Sequence, residues 1–308
     1  MTFDIRQLRA LNAVARHGGF SRAAREVRIT QPTLSTHIRN LENQLGVKLF
    51  DRAGRSVTLT PAGEIFSEYT SRILDLCDQA AEALQAHLGQ IKGEIDVVAS
   101  TVPGEYILPA WLAGFYRKYP DVLVKLSVSD SQTAMEKIAS GEVSMGITGM
   151  KASHPSLTST LLKEDRIILA GTETFGVENG LESPILKADF HRVPLIKREP
   201  GSGTQKTVEL TMKNSGLNPE KLHWSACLGS TRAVIEGTLA GLGGAFLSRF
   251  TIEKELENGT LREFEVEDLE VGQGFYVHTH SARSMSPVAQ RLLDDLLQWT
   301  ESDTRIRS

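Results

Sequence analysis

Cysteine is scarce in this sequence, and long apolar runs are absent. The two cysteines, Cys77 and Cys227, stand far apart, and neither has a second cysteine or a histidine at metal-ligand spacing. Two such thiols exclude a disulfide framework and a cysteine-based zinc site, and we expect them to be reduced and partly buried. No stretch approaches the roughly 20 apolar residues that span a bilayer, and the first residues lack the apolar core of a signal peptide. The sequence therefore predicts a cytoplasmic protein without membrane contact.

Sequence signatures of common enzyme sites are also missing. Gly201 and Gly203 do not match the dinucleotide-binding fingerprint, and the spacing of a phosphate-binding P-loop is absent. Neither the His-Glu-x-x-His pattern of zinc proteases nor the Gly-x-Ser-x-Gly pattern of hydrolases occurs. We therefore predict no catalytic residues, no cofactor and no metal site.

Charge is distributed unevenly along the chain. Residues 1–58 hold ten Lys and Arg side chains but only four acids, a net charge of +6, whereas the whole chain carries −4. The remaining residues must therefore carry −10. A basic segment joined to an acidic body is typical of a nucleic-acid-binding domain attached to a domain of another function. Charge alone is also compatible with chance clustering on a solvated surface.

The basic segment contains the pattern of three short helices. Apolar residues at helical spacing mark the first helix: Leu8, Leu11 and Val14. Ser21 is suited to cap a second helix, and Thr30 a third helix that has Pro32 in its first turn. The third helix has an apolar stripe formed by Leu34, Ile38, Leu41 and Leu45. Two helices joined by a short turn are typical of a helix-turn-helix.

Polar residues occupy the outward positions of the third helix, where they can contact DNA. Hydroxyl, amide and basic groups donate to phosphates and read base edges in the major groove. The hairpin-like run 49–59 follows as a wing, with Arg52 and Arg55 beside its turn. The predicted DNA-binding residues are Ser21, Gln31, Pro32, Thr33, Ser35, Thr36, His37, Arg39, Arg52 and Arg55. For His37, simple exposure to solvent is an equal alternative.

Coordinated motif residues extend across this whole segment. The runs are Phe20-Ser21-Arg22-Ala23-Ala24, Thr30-Gln31-Pro32-Thr33-Leu34-Ser35, Leu41-Glu42, Leu45-Gly46-Val47-Lys48-Leu49-Phe50-Asp51-Arg52 and Leu59-Thr60-Pro61-Ala62-Gly63. Their spacing, together with the chain length, resembles that of LysR-type transcriptional regulators. The resemblance implies a winged helix-turn-helix that binds double-stranded operator DNA. Ala53 departs from the family pattern, which usually has a small polar residue at that position of the wing.

Residues 60–92 are predicted to form one long linker helix. Thr60 and Pro61 are a standard helix start, and no further proline occurs in the segment. An apolar stripe alternates spacings of three and four, which is typical of a two-helix seam: Phe66, Tyr69, Ile73, Leu76, Ala80 and Ala83. The resemblance implies that the same helix of a second subunit covers this stripe in a homodimer. Packing on the chain's own effector domain is the alternative.

From Gly93 onward, short apolar strands alternate with helices. We predict strands at 95–99, 122–126, 145–148, 167–170, 193–196, 244–247 and 275–279, and helices at 204–215, 231–240 and 287–299. This alternation indicates an α/β fold with a mostly parallel sheet. The resemblance implies two lobes, as in periplasmic solute-binding proteins. We expect one lobe at about 93–163 and 269–308 and the other at about 164–268.

Small polar residues follow several predicted strands, which is where ligands bind in α/β sheets. Hydroxyls and unpaired backbone N–H groups at helix starts suit an anion. The predicted effector-binding residues are Ser100, Thr101, Thr148, Glu199, Ser202, Gly203 and Thr204. Helix capping by Ser202 and Thr204, and ordinary strand-end hydrogen bonding by Ser100 and Thr148, are the alternatives.

The run Glu199-Pro200-Gly201-Ser202-Gly203-Thr204 is similar to that of a LysR-type subgroup that controls sulfur assimilation and carbon fixation. This similarity implies a sulfur oxyanion or a phosphorylated metabolite as the effector. Gln205 stands where the subgroup often has arginine, which weighs against a highly charged phosphate ligand.

The sequence thus predicts an α/β protein of three parts: a winged helix-turn-helix at 1–59, a dimerising linker helix at 60–92 and a two-lobed effector-binding domain at 93–308. Its predicted function is that of a sequence-specific DNA-binding transcription regulator, controlled by a small anion such as a sulfur oxyanion bound between the lobes. Two dimers are expected to join as a homotetramer whose DNA bend the effector changes. The alternatives are a two-lobed solute-binding protein and an enzyme with an incidental basic N-terminal domain.

Overall fold

The computed structural model describes residues 3–53, 56–87, 91–181 and 184–302. The chain forms two compact units, Met1–Gln90 and Ile91–Ser308. The first is helical with a small hairpin, and the second is a two-lobed α/β unit, so the predicted fold class is confirmed. Within the described ranges, no helix combines the length and apolar character needed to cross a membrane.

The first unit is a winged helix-turn-helix followed by a long helix. Its elements are α1 (Ile5–His17), α2 (Phe20–Glu26), α3 (Gln31–Leu45), β1 (Phe50–Ala53), β2 (Ser56–Leu59) and α4 (Pro61–His87). β1 and β2 pair antiparallel and form the predicted wing. Leu11, Leu34, Ile38 and Leu41 are fully buried at the centre of the core, which confirms the predicted inner face of α3.

Polar caps explain where α3 and α4 begin. Oγ1 of Thr30 accepts a hydrogen bond from the backbone N–H of Thr33 at 3.3 Å. Oγ1 of Thr60 accepts one from the N–H of Gly63 at 3.0 Å. Each cap satisfies an N–H group that has no partner inside its helix. Both sequence predictions of these helix starts are confirmed.

The prediction that Ser21 caps α2 is wrong. That helix begins at Phe20, and Gly19 is its N-cap residue without a side-chain hydrogen bond. Ser21 already lies within the first turn, and its hydroxyl donates to Oε1 of Gln31 at 3.0 Å. It therefore joins α2 to α3 instead of capping α2.

Buried Glu42 fixes the wing to α3. Its carboxylate accepts from the backbone N–H of Leu49 at 3.0 Å and from Nζ of Lys48 at 2.9 Å. Burial opposes ionisation of Glu42, but the hydrogen bonds outweigh burial and lower the pKa of this carboxyl group. The base of the wing is therefore held to α3 by a buried, hydrogen-bonded charge.

The second unit is built on a mixed sheet of nine strands among the described residues. Its strands are β3 (Gly93–Ser100), β4 (Val122–Ser129), β5 (Met145–Thr148), β6 (Leu157–Gly171), β7 (Leu195–Arg198), β8 (Trp224–Leu228), β9 (Gly244–Ser248), β10 (Arg262–Phe264) and β11 (Val271–His280). Its helices are α5 (Leu108–Lys118), α6 (Ser131–Ser140), α7 (Glu173–Glu178), α8 (Gly203–Asn214), α9 (Thr231–Leu239), α10 (Glu253–Glu257) and α11 (Pro287–Ser302). The strand order is β4-β3-β5-β11-β6-β9-β7-β8, with β10 beside β6.

The long strands β6 and β11 cross between the two lobes. They pair antiparallel with each other, so the sheet is mixed and the prediction of a mostly parallel sheet is wrong. Parallel pairing occurs within each lobe, between β3 and its neighbours β4 and β5 and between β7 and its neighbours β8 and β9. Trp111 and Phe115 lie in the core of the first lobe, and Phe190 and Met212 in that of the second.

Several strand predictions are confirmed, and the deviations have local causes. Met145–Thr148 is a strand over the predicted residues, whereas the strand predicted at 193–196 runs from Leu195 to Arg198. Pro194 has no N–H to donate to a strand ladder, so pairing starts after it. The sequence analysis missed β8, a half-exposed edge strand. Cys77 and Cys227 are free thiols and exposed, not partly buried as predicted.

Candidate functional sites

The outer face of α3 carries most of the predicted DNA-binding residues. Gln31, Pro32, Thr33, Thr36 and Arg39 are exposed, and Ser35 and His37 are half-buried. The first-turn N–H groups lie at the same end of α3, where a helix attracts phosphate oxygens. Ser21 is exposed on α2 and donates to Gln31, so the two helices present one polar surface.

Basic residues flank this surface. Arg22, Arg25 and Arg28 are exposed, and Arg28 adopts a left-handed φ of 55° in the turn between α2 and α3. The backbone of Arg52 pairs with Val57 in the wing, whereas Arg55 lies outside the described residues. Exposed positive charge on the helix that precedes a polar helix face favours contact with DNA phosphates.

A cavity of about 10 Å³ lies between the two lobes of the second unit. We call it the interlobe cavity; it is lined by Ser100, Thr101, Val102, Asp130, Ser131, Gly149, Arg198, Ser202, Gly203, Thr204 and Gln273. These residues come from strand ends, from the starts of α6 and α8, and from the crossing strand β11. Five of the seven predicted effector-binding residues are thus brought together. Glu199 and Thr148 are not part of the lining.

A buried arginine bridges the lobes at this cavity. The Arg198 side chain is only 6% exposed; its Nη1 donates to Thr231 at 2.7 Å and its Nη2 to Thr101 of the other lobe at 3.3 Å. The two threonine hydroxyls lie 3.0 Å apart. The Glu199 carboxylate takes the remaining edge of the guanidinium, with distances of 2.7 Å to Nε and 2.8 Å to Nη2. The adjacent Glu199 therefore compensates the charge of Arg198.

The start of α8 approaches the start of α6 closely. A Cβ on Gly201, whose φ is 95°, would lie 2.6 Å from Oδ1 of Asp130, and a Cβ on Gly203 would lie 2.6 Å from Oγ of Ser131. Glycine at both positions allows the two helix starts to meet. Ser202 also caps α8, with its hydroxyl accepting from the N–H of Gln205 at 3.4 Å.

Asp130 brings a negative charge to the same cavity. Burial opposes its ionisation, but hydrogen bonds from Thr133 and from the first-turn backbone of α6 outweigh burial and lower the pKa of this carboxyl group. The carboxylate accepts from the N–H groups of Gln132 and Thr133, both at 2.9 Å. It is thus an ionised N-cap of α6.

Thr148 has a structural contact away from the cavity. Its hydroxyl donates to the carbonyl of Met150 at 2.9 Å and lies 2.8 Å from Nε2 of His278. Burial lowers the pKa of His278 to about 4, so this imidazole is neutral near pH 7. Ser159 contacts the other ring nitrogen at 2.9 Å.

Gln273 is the unpaired polar side chain of the cavity. It is 7% exposed, and neither its Oε1 nor its Nε2 has a hydrogen-bond partner among the described residues. A buried amide without partners costs about 1–3 kcal/mol for each unmet bond. At a cavity wall, such a group can bond a water molecule, an ion or a ligand that enters the cavity. Among all described residues, the cavity included, no group of three His, Cys, Asp or Glu side chains is arranged to hold a metal ion.

Two family profiles match the two units. Residues 5–64 match "Bacterial regulatory helix-turn-helix protein, lysR family", and residues 88–301 match "LysR substrate binding domain". The chain belongs to the LysR family. It is a LysR-type DNA-binding transcription regulator with an effector-binding domain.

Proteins similar to this LysR-type chain include a relative named as a transcriptional regulator and two solved structures. A "Probable RuBisCO transcriptional regulator" from Cyanophora paradoxa is 31% identical over 300 residues, which are 96% of this chain and 92% of the relative. ArgP from Mycobacterium tuberculosis shares the fold with a TM-score of 0.75 at 20% identity, over 98% of each chain. The Synechocystis CcmR regulatory domain, solved in complex with 2-PG, has a TM-score of 0.61 at 21% identity, covering 68% of this chain and 99% of that one.

The sequence analysis of this LysR-type chain missed several cavity residues. Asp130-Ser131 follows β4 and opens α6, so the strand-end pattern that singled out Ser100-Thr101 also marks it. Arg198 ends β7 beside the predicted cluster. Gln273 gave no such signal because it lies within the crossing strand, opposite Asp165.

Replacing Gln273 by methionine should separate stability from ligand binding in this regulator. Methionine keeps the length of the side chain without its unpaired amide, so the free energy of unfolding without ligand should rise by about 1–3 kcal/mol. The affinity of the protein for sulfate and phosphate should fall about tenfold. Urea unfolding and calorimetric titration measure the two effects. The exposed Gln132→Met serves as control, and a loss of stability in Gln273→Met would contradict the unpaired state.

Proposed function

We propose that this LysR-type regulator is controlled by a small anion, such as a sulfur oxyanion or a phosphorylated metabolite, bound in the interlobe cavity. The proposal rests on one observation, which is that three groups line the same cavity: buried Arg198, the start of α8 and the unpaired amide of Gln273. The start of α8 and the amide of Gln273 offer N–H groups to oxygen, and Arg198 offers a positive charge. The predicted effector residues Ser100, Thr101, Ser202, Gly203 and Thr204 add hydroxyl and backbone groups there.

The size of the cavity supports a coupling between binding and lobe movement. At about 10 Å³ it has room for roughly one water molecule, so a tetrahedral anion requires the lobes to separate. A ligand that binds one lobe arrangement better than another shifts the population toward it. The 2-PG complex of the CcmR domain supports including 2-PG among the candidate anions.

We propose further that residues 1–59 read DNA, that the linker helix at 60–92 dimerises, and that 93–308 binds the effector. In this scheme a homodimer presents two copies of α3 about 34 Å apart to a near-palindromic operator. Two dimers joined as a homotetramer would hold two such sites and bend the DNA between them. The effector would act by changing that bend.

An exposed apolar stripe on α4 supports the dimer. Tyr69, Ile73 and Leu76 are 57%, 39% and 63% exposed within the described unit, and they follow the spacing of a two-helix seam. Large apolar side chains in one row need a partner surface.

The effector proposal is tested by thermal unfolding of the full chain with sulfate, sulfite, thiosulfate, phosphate and 2-PG, against chloride at equal ionic strength. A specific anion at a hundred times its Kd adds about 2.7 kcal/mol, roughly 5–10 °C for a unit of this size. Thr204→Ala should weaken binding about tenfold, while Thr211→Ala on the same helix should not. If no anion raises the unfolding temperature, the effector is not an anion and the hydroxyl clusters are helix caps.

Arg39→Ala should weaken binding to a duplex of mixed sequence. Loss of one phosphate contact lowers the slope of log affinity against log salt by about one. Binding isotherms at several salt concentrations measure the slope. Arg117→Ala removes the same charge from the second unit and should leave the slope as it is. An unaltered slope for Arg39→Ala would mean that this side chain does not reach a phosphate.

Leu76→Glu should dissociate the dimer because it introduces charges that face each other across the seam. Analytical ultracentrifugation should then give the monomer mass, and DNA affinity should fall. Leu210 is equally exposed, at 60% against 63%, so Leu210→Glu is the matched control. Should Leu76→Glu remain dimeric, the stripe would be covered by the chain itself.

A further inference from the structure

We propose that the carboxylate of Glu199 is an internal competitor for the effector: it occupies Arg198 in the ligand-free protein and is displaced by the incoming oxyanion. This inference rests on the proposed anion site and adds how that site is regulated. It also names the ligand property that is selected, namely two adjacent oxygens able to replace a carboxylate.

The hydrogen bonds of Arg198 leave little room for a second anion. A guanidinium has five N–H groups, and four described hydrogen bonds already occupy it. Two of these go to Glu199 and one each to Thr101 and Thr231. Glu199 alone contacts two N–H groups on one edge of the guanidinium, Nε and Nη2, so a ligand gains a bidentate contact with that edge only when Glu199 leaves. Bidentate pairing is the strongest mode in which arginine binds an oxyanion.

The charges around the cavity also favour an exchange in which the anion replaces Glu199 on Arg198. Arg198 and ionised Asp130 line the cavity, and Glu199 adds a second negative charge beside them. An approaching anion therefore meets a net charge of −1 while Glu199 is in contact with Arg198. Once the carboxylate turns into solvent, the positive charge of Arg198 is available to the ligand.

The backbone around Glu199 permits this movement without refolding. Its N–H donates to the carbonyl of Leu228, and its own carbonyl accepts from the N–H of Ser202, both at 3.2 Å. These bonds can persist while the side chain rotates. The side chain is 23% exposed, so a path to solvent exists, and the described hydrogen bonds of its carboxylate all go to Arg198.

A shape requirement follows from the exchange. Sulfate, phosphate and carboxylates present two oxygens at the spacing of the Arg198 edge, whereas a halide presents a single sphere. Anions of higher charge should also displace Glu199 more readily. The competitor thus selects against chloride, which cannot replace both oxygens of Glu199, without any steric gate.

Calorimetric titration of the full chain with sulfate tests the exchange. Glu199→Gln keeps the size of the side chain but removes its charge, so sulfate should bind at least about tenfold more tightly than to the wild type. Glu199→Asp, with a shorter reach, should give a smaller gain and serves if the first variant does not fold. Glu236→Gln is the matched control, since Glu236 pairs with Arg232 on α9 in the same lobe. Its effect should stay within twofold because surface charges are screened.

The outcomes separate the two proposals. Sulfate binding that Thr204→Ala weakens but Glu199→Gln leaves unaltered or weakens would overturn the competitor and leave the anion site standing. If none of these anions binds either the wild type or Glu199→Gln, both the competitor and the anion site are overturned. A gain of equal size in Glu236→Gln would also overturn the competitor, because general charge removal would then explain the effect.

Discussion

The antiparallel pairing of β6 with β11 is the constraint on which the effector-binding unit depends. Both strands pass through the middle of one sheet, and each contributes to both lobes. The two cores are therefore joined by a ladder of backbone hydrogen bonds near which the starts of α6 and α8 meet. Movement of one lobe against the other must be absorbed along these strands. A side chain on them that lines the cavity, such as Gln273, is therefore sensitive to the arrangement of the lobes.

The polar groups at the interlobe cavity are arranged at a thermodynamic cost. A buried arginine requires compensation, and Glu199 supplies it from the neighbouring position in the chain. Gln273 has no comparable partner in the described structure. Natural proteins keep such costs mainly at functional positions, because a fully satisfied site would leave nothing for a ligand to gain. If the proposed effector binds here, the cavity is a place where the protein has given up stability for recognition.

Local physics explains which features could be read from the sequence. Thr30 and Thr60 mark the starts of their helices because a cap is a contact between residues three positions apart. Met145–Thr148 could be predicted because it is a short apolar strand with clear ends. Five of the residues predicted to bind the effector line one cavity, and they could be singled out because strand ends and helix starts are visible in the chain order. DNA-binding residues on α3 were predicted from one helix face, and their exposure agrees with that face.

The features that escaped prediction depend on contacts between distant residues. Gln273 lines the cavity only because β11 crosses beside β6, and Thr148 turns to His278, 130 residues later in the chain. Ser21 was misassigned since the helix starts two residues earlier than the capping pattern indicated. The mixed sheet could not be read from strand order alone, since alternation of strands and helices is the same whether crossing strands run parallel or antiparallel.

In the proposed contact of α3 with DNA, the hydroxyl of Thr36 can only accept hydrogen bonds from a base pair. Its proton is donated within the helix, to the carbonyl of Pro32 at 2.9 Å. What remains toward the groove is a pair of oxygen lone pairs. An acceptor of this kind complements the exocyclic amino groups of adenine and cytosine, and it is unsuited to the O6 of guanine or the O4 of thymine. A bond inside the protein would thereby set the polarity with which one position of the helix contacts DNA.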